Sequence, residues 1–376
     1  MKKILHLSCD EKFIDMGINV FELAYPSCNK LVLIKSDNDV KHVTFNKRKI
    51  ISKKSLSSAS KKSSFWFDVD VVVLHSLFTF DLHIPENIRV VWLGFGYDYY
   101  DLISENGDEL LSSRNIAFLD KVAIKQVGLK SQLKKLLKAV SFYEELKNRK
   151  RRKIIEKIDI FCPVLVAEYH AINWPSNKRP KLMDWNYGTM EDNWAKDGIT
   201  TLKGNNVLLG NSATKTCNHI DGIDLINQLK SFNDKLIIPL SYGDKRYKEL
   251  LKEYLKINFE GDVQLLEDFM VFDEYKKIIS TCSLAVMPHK RQQGLGNILM
   301  LLNLGAKVFL DKDNQLYKYL KEEGFIVYKL EEITLSNFQS RLNKEKVEIN
   351  RKLLYKIWGR QSIVEKTIAV VECELR

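Results

Sequence analysis

Ser283-Leu284-Ala285-Val286-Met287-Pro288-His289-Lys290-Arg291-Gln292-Gln293-Gly294-Leu295-Gly296-Asn297 runs on through Ile298 to Gly305. It reads as a short buried strand, a polar and basic turn, a glycine hinge, and a helix that opens near Asn297 and stops at Gly305. Such a run outlines a phosphate cradle. Its glycines let the backbone approach an anion closely. The free N–H groups of the helix's first turn point at that anion with the positive end of the dipole, and Lys290 and Arg291 add formal charge. An ordinary strand-turn-helix has the same outline, so the rest of the chain has to decide.

Around this stretch, the second half of the sequence alternates strand and helix. Strands are expected at Asn206–Gly210, Lys235–Leu240, Val263–Leu266, Leu284–Met287, Lys307–Leu310 and Phe325–Tyr328, with helices near Asn218–Phe232, Lys245–Ile257, Phe272–Thr281 and Gly296–Leu304. The first half repeats the theme. Apolar runs at Lys3–Leu7, Leu31–Lys35, Asp70–Ser76, Arg89–Leu93, Ile158–Leu165 and Lys181–Tyr187 read as strands, and Lys12–Leu23 as a helix. Asn46–Ser64, rich in Lys and Ser, reads as a mobile solvated segment. Asn115–Lys157 reads as helical and strongly basic, either a solvated face or a membrane-docking surface.

A chain of 376 residues exceeds one ordinary core. The expectation is α/β: two doubly wound Rossmann-like domains facing a cleft, with ligand at the strands' C-terminal edges. Residues 1–195 form the first domain and 196–343 the second, and a helix within 344–376 packs back on the first. Six dispersed cysteines suggest reduced buried thiols rather than a disulfide frame or zinc site. The net charge of +11 calls for a partner such as nucleic acid, anionic lipid or a phosphorylated substrate. No apolar run spans a bilayer, and a cytoplasmic location is expected.

Candidate site residues follow from strand-end placement. Gly210, Asn211 and Ser212 offer a second phosphate contact ahead of a helix that carries His219. Ser241 and Tyr242 suit a nucleoside, and Glu267-Asp268-Phe269-Met270 suits a base and ribose. In the first half His6, Asp10, His75, Trp92, Gly96 and Asp98 stand at strand ends where a general base is needed, Asp98 being followed by Tyr99 and Tyr100. The dinucleotide fingerprint, the Walker lysine motif, the Gly-x-Ser-x-Gly elbow and His-Glu-x-x-His are absent from the sequence, which argues against dehydrogenase, nucleotide hydrolase, esterase and metalloprotease chemistry.

These residues resemble a family. Leu209-Gly210-Asn211-Ser212 with Asn218-His219, Ile238-Pro239 with Tyr242, Phe272-Asp273-Glu274-Tyr275 and Arg291-Gln292-Gln293-Gly294-Leu295-Gly296 are similar to GT-B glycosyltransferases. More narrowly, they resemble the TDP-4-acetamido-4,6-dideoxygalactose (Fuc4NAc) transferases of glycosyltransferase family 56, which serve enterobacterial common antigen and O-antigen synthesis. In the first half the likeness extends to Leu5-His6, Asp10, His75, Trp92, Gly96, Asp98 and Tyr100. Where many GT-B enzymes carry a glutamate before the glycine pair, this chain has Gln293, as the narrower family does.

The resemblance implies transfer of a deoxyamino sugar from a dTDP-sugar to an undecaprenyl-pyrophosphate-linked glycan at the cytoplasmic face of a bacterial inner membrane. It implies a peripheral enzyme on an anionic membrane surface, with no metal or other cofactor and no nucleic acid. The expected donor contacts are Gly210, Asn211, Ser212, His219, Tyr242, Lys290, Arg291, Gln292, Gln293, Gly294, Leu295, Gly296 and Asn297. If the transfer inverts configuration, Asp98, with His75 behind it, is the expected base; a retaining transfer requires no such base. The rival readings are a sugar-nucleotide epimerase on the same fold and a basic nucleic-acid-binding protein.

Overall fold

A computed structural model describes residues 2–35, 39–79, 81–104, 107–124, 145–146, 148–196, 201–229 and 234–374. The chain divides into two compact units. Unit 1 gathers Met1–Glu105, Val127–Thr189 and Trp358–Arg376; unit 2 gathers Asn106–Gln126 and Met190–Ile357.

Unit 1 is built on a seven-stranded sheet in the order β3-β2-β1-β4-β5-β6-β7. The strands are β1 (Ile4–Cys9), β2 (Asn29–Ile34), β3 (Arg48–Ile51), β4 (Val71–His75), β5 (Arg89–Leu93), β6 (Ile160–Cys162) and β7 (Lys181–Leu182). All neighbours pair in parallel. Val71, Val72 and Val73 are almost fully buried, as a parallel strand covered on both faces requires. Each such side chain contributes ~1.5–3 kcal/mol on leaving water.

Unit 2 repeats the plan with six parallel strands in the order β10-β9-β8-β11-β12-β13. These are β8 (Asn206–Leu209), β9 (Leu236–Pro239), β10 (Val263–Leu266), β11 (Cys282–Met287), β12 (Lys307–Leu310) and β13 (Tyr328–Lys329). Strand order reverses between β1 and β4 in one unit and between β8 and β11 in the other. In sheets of this kind the loops beside such a point diverge, and ligands bind there at the C-terminal edge.

Several expectations are revised. Residues 46–64 are ordered rather than mobile: β3 pairs with β2, and the helix Lys53–Ala59 follows, its N-cap Ser52 accepting from Ser55 N at 3.1 Å. The units meet in sequence at Thr189/Met190 rather than after 195. The stretch Asn106–Gln126, expected with the first domain, belongs to unit 2, because Phe118 and Leu119 of the helix Ser113–Ile124 pack on that unit's core. The final helix is two, Lys344–Trp358 and Arg360–Glu372, broken where Gly359 turns extended (φ −65°, ψ 153°) to cap the second. Only the part from Trp358 onward joins unit 1, where Thr367 accepts from Trp185 Nε1 at 2.8 Å. About half of the basic stretch expected over 115–157, including Lys134, Lys135 and Lys138, lies outside the described residues.

Candidate functional site

In unit 2 the loops after β8 and β11 flank the switch point. Gly294 adopts φ 71° and caps the helix Leu295–Leu304 without a side-chain hydrogen bond. A Cβ there would sit 3.0 Å from that of Asn211, so only glycine lets the two loops close on one another. The helix's first i to i−4 bond runs from Ile298 N to Gly294 O at 3.1 Å, which places the amides of Leu295, Gly296 and Asn297 ahead of the ladder. Ten residues of aligned dipole stand behind them.

Gln293 is the organiser of this turn. Its Oε1 accepts from Arg291 Nε at 2.7 Å and Thr216 Oγ1 at 2.9 Å. Its Nε2 donates to Asn211 Oδ1 at 3.2 Å and to Cys217 Sγ at 2.9 Å. Asn211 Nδ2 in turn donates to the Tyr242 hydroxyl at 2.9 Å. The amide of Gln293 thus gathers Arg291, Thr216, Asn211 and Cys217 into one network. Ser212 Oγ lies 2.9 Å from Thr214 Oγ1, in the same loop. Gln292 is buried beside them.

Other expected donor contacts are placed differently. The ammonium group of Lys290 donates to Leu111 O at 3.2 Å, tying down the segment before the helix Ser113–Ile124. His219 is fully buried; its Nδ1 lies 3.1 Å from the Tyr247 hydroxyl and its Nε2 has no hydrogen-bond partner. A Cβ on Gly210, which adopts φ 65°, would meet that Nε2 at 2.7 Å. His289, fully buried after β11, has neither ring nitrogen partnered. Burial pushes both imidazoles down to about 3, so they are neutral. Glu267, expected beside the ribose, pairs with Lys252 at 3.1 Å and Lys248 at 3.5 Å.

Sequence reasoning places Asn218 in the family motif without giving it a role. Its side chain donates to Leu110 O and Pro288 O, both at 3.1 Å, and accepts from Ser112 N at 3.0 Å. It therefore joins segments 70 to 108 residues away, and no local pattern signals that. Tyr275 and Asn297 hydrogen bond through their side chains, and Trp194 lies so close to Gly296 that a Cβ would meet its ring at 2.6 Å. Tyr242, Phe269 and Val271, on the loops after β9 and β10, are exposed.

Unit 1 has its own switch point, between β1 and β4. Asp98, expected as a base, is only 8% exposed, and both carboxylate oxygens are filled. Oδ2 accepts from Leu77 N at 2.8 Å and Trp92 Nε1 at 2.7 Å, and Oδ1 accepts from Phe95 N at 2.9 Å. Burial raises its carboxyl above the ordinary range while these donors oppose the rise. The geometry is that of an anchor holding the loops after β4 and β5. Asp10 has a similar part, accepting from the amides of Lys41, His42 and Val43 and pairing with Lys35 at 3.2 Å.

His75 is also fully buried, in a chain whose protons are determined. Asn29 Nδ2 donates to Glu22 Oε1 at 3.2 Å and Tyr25 O at 2.9 Å, which leaves its Oδ1 to accept from His6 Nε2 at 3.0 Å. His6 Nδ1 then accepts from His75 Nε2 at 2.8 Å, and His75 Nδ1 accepts from the Tyr187 hydroxyl at 2.8 Å. Burial lowers His6 to about 4 and holds His75 well below its ordinary value, consistent with two neutral rings.

Glu11, which the sequence did not single out, stands at the β1 side of the switch point. It is half-buried, its carboxyl is pushed up by burial, and Tyr97 donates to Oε1 at 3.4 Å. The Tyr97 hydroxyl also reaches Ser76 Oγ at 3.1 Å, in the loop after β4. Among the described residues, no three His, Cys, Asp or Glu side chains converge to hold a metal ion.

Comparison with known proteins agrees with this geometry. Residues 177–355 match the family model described as 4-alpha-L-fucosyltransferase glycosyl transferase group 56, the group that the motifs resemble. Among solved structures, the chain superposes on apo OtsA (TM-score 0.61, 9% identity, covering all of both chains) and on a glycosyltransferase from Rickettsia africae (0.59, 10%, covering 99% of each). It also superposes on HepE of Anabaena in complex with UDP and glucose (0.54, 13%, covering 99% of this chain and 95% of that one). At such identities the structural likeness establishes the fold, which is GT-B, and the family match establishes a glycosyltransferase.

Proposed function

We propose that this glycosyltransferase, carrying the group 56 signature over residues 177–355, moves a 4-amino- or 4-acetamido-4,6-dideoxyhexose from a dTDP donor. The acceptor is a hydroxyl of an undecaprenyl-pyrophosphate-linked glycan, met at an anionic membrane surface. The observation that carries the reading is the cradle at the β8/β11 switch point. There Gln293 gathers Arg291 and Asn211 beside the unladdered amides of Leu295, Gly296 and Asn297.

The leaving group of such a transfer is a nucleoside diphosphate, so negative charge develops on its phosphate oxygen as the bond to the sugar breaks. Helix-terminus amides and the Arg291 guanidinium, already fixed in place, stabilise that charge more in the transition state than in the ground state. The guanidinium and the amides supply the charge stabilisation without a divalent ion. Tyr242, Phe269 and Val271 offer an exposed apolar platform for the thymine ring.

In the inverting course we propose, the acceptor hydroxyl oxygen attacks the anomeric carbon, the bond from that carbon to the diphosphate breaks, and the hydroxyl proton passes to a base. We assign that base to Glu11, a half-buried carboxylate with one weak contact. Asp98 already has three donors. Calorimetric titration of the purified chain with dTDP, UDP and GDP tests the donor assignment, dTDP binding most tightly. Mass spectrometry of the glycolipid formed from a dTDP-sugar then tests the acceptor. Equal indifference to all three nucleotides sinks the proposal.

A further inference from the structure

The segment between Asp39 and Asp68 contains eight Lys or Arg residues and no carboxylate. The fold of unit 1 gathers this charge rather than dispersing it. After β3, the helix Lys53–Ala59 and the turn Ser63–Phe65 form one wall of two adjoining grooves that share Lys62. The first groove, about 540 Å³, is lined by Lys49, Lys54 and Lys62 together with the hydroxyls of Ser55, Ser58 and Ser64. The second, about 640 Å³, brings Lys61 and Lys62 to face Lys150, Lys153 and Lys157, over a floor that includes Trp66 and Ile154.

The facing wall is held firmly. Arg151, 6% exposed, donates to both oxygens of Asp101 and to the backbone carbonyl of Asp98 at 2.8 Å. It thereby fixes the helical stretch 148–155, with Lys150 and Lys153 exposed on it. Lys157 donates to Ile84 O at 3.0 Å. The carboxylate in this lining, Asp81, accepts from Ser57 Oγ at 2.8 Å. Directly after the turn, Phe67 stands 82% exposed while its neighbour Trp66 is buried and bonded through Nε1 to Ser60 O at 2.8 Å.

We propose that this face, resting on the lipid-linked acceptor of the function proposed above, is where the protein docks on a bilayer of anionic phospholipid. The lysines and serine hydroxyls take headgroup phosphates and Phe67 enters the interfacial layer. Cations lining two adjoining grooves, with an exposed phenyl ring directly after the turn that walls them, match the chemistry of that interface, where charge attracts the protein and an apolar side chain leaves water.

The test is sedimentation of the full chain with vesicles of 3:1 phosphatidylcholine:phosphatidylglycerol and of phosphatidylcholine alone. The wild type pellets with the anionic vesicles only, and less as salt rises. Lys54→Ala with Lys61→Ala and Lys62→Ala lowers partitioning roughly a hundredfold, Phe67→Ser roughly tenfold, and Phe67→Leu restores most of the latter loss. These side chains are exposed, so the variants melt as the wild type does and keep their affinity for dTDP.

Failure of the wild type to bind anionic vesicles overturns the proposal, as does wild-type binding by the triple variant, or binding of single-stranded RNA through the same lysines without vesicle binding. Loss of vesicle binding with dTDP affinity retained confirms the surface independently of catalysis. Vesicle binding by a protein indifferent to dTDP supports the surface and overturns the donor assignment instead.

Discussion

Nε of Arg291 donates to Oε1 of Gln293 across 2.7 Å, so the cation nearest the glycine turn is oriented by a neutral amide rather than by an acid. A carboxylate in that place neutralises the guanidinium; the amide leaves its charge available to an anion. Arg291→Ala therefore weakens dTDP binding by about ten- to a hundredfold, the worth of one charge-assisted hydrogen bond. Arg291→Lys recovers only part of the loss, since it lacks the planar fork. Calorimetric titration checks both, and an unaltered Kd for the alanine variant removes Arg291 from the site.

Gln293→Glu is expected to damage the fold as well as the affinity. The amide nitrogen donates to Asn211 Oδ1 and Cys217 Sγ, and a carboxylate oxygen there would face an acceptor within a buried network. The expected loss is about 1–3 kcal/mol of unit 2 stability, read as a lower denaturant midpoint. Weaker binding of the diphosphate follows from like charge. A variant as stable as the wild type would show that the network rearranges freely.

Much of this architecture is legible in the residues. Val71–Val73 and Leu284–Met287 announce parallel strands because both faces of each are buried, and Gly294 announces the turn that its φ of 71° requires. The roles of individual polar side chains are less legible. Whether Asp98 is a base or an anchor depends on three donors brought from Leu77, Trp92 and Phe95. Asn218 acts through Ser112, on a segment whose allegiance to unit 2 is settled only by tertiary packing. The lysines of 46–64 look solvated in sequence because nothing local shows that β3 will pair with β2.

Asp98→Asn should act on stability more than on chemistry. An amide keeps one acceptor oxygen, but its NH2 must then face a backbone or indole N–H that now donates to carboxylate. The expected cost is about 1–3 kcal/mol. Because burial raises the Asp98 carboxyl above its ordinary 3.8, the folded chain holds this proton more tightly than the unfolded chain does. The favourable contribution of the protonated form is present below that value and is lost as pH rises through the folded pKa. Donor-saturated turnover should survive in the folded fraction; its complete loss in a variant with wild-type melting would return the base role to Asp98.

Glu11→Gln, by contrast, should lower kcat roughly 10²- to 10⁴-fold while leaving dTDP affinity intact. A base must be ionised, so kcat/KM falls as pH drops through the Glu11 pKa. Burial lifts that pKa above 4.5, so the acid limb lies above the ordinary glutamate range, and the variant loses that limb along with its rate. An acid limb of unchanged position in the variant would assign it to another group.

Acid should also unfold this protein through its buried histidines. His6, His75, His219 and His289 are fully buried and neutral, with burial lowering the first to about 4 and the last two to about 3 from an ordinary 6.5. The unfolded chain therefore takes up protons below pH 6.5 that the folded chain refuses. The stability that neutral burial contributes is full above 6.5 and is lost as pH falls toward 4 and 3, by roughly 3–5 kcal/mol for a single histidine shifted this far. His289 isolates the effect because neither ring nitrogen has a partner to lose. His289→Phe should cost little at pH 7 and flatten the decline in melting temperature between pH 6.5 and 4.5, whereas a variant that tracks the wild type throughout that interval would show that His289 does not contribute.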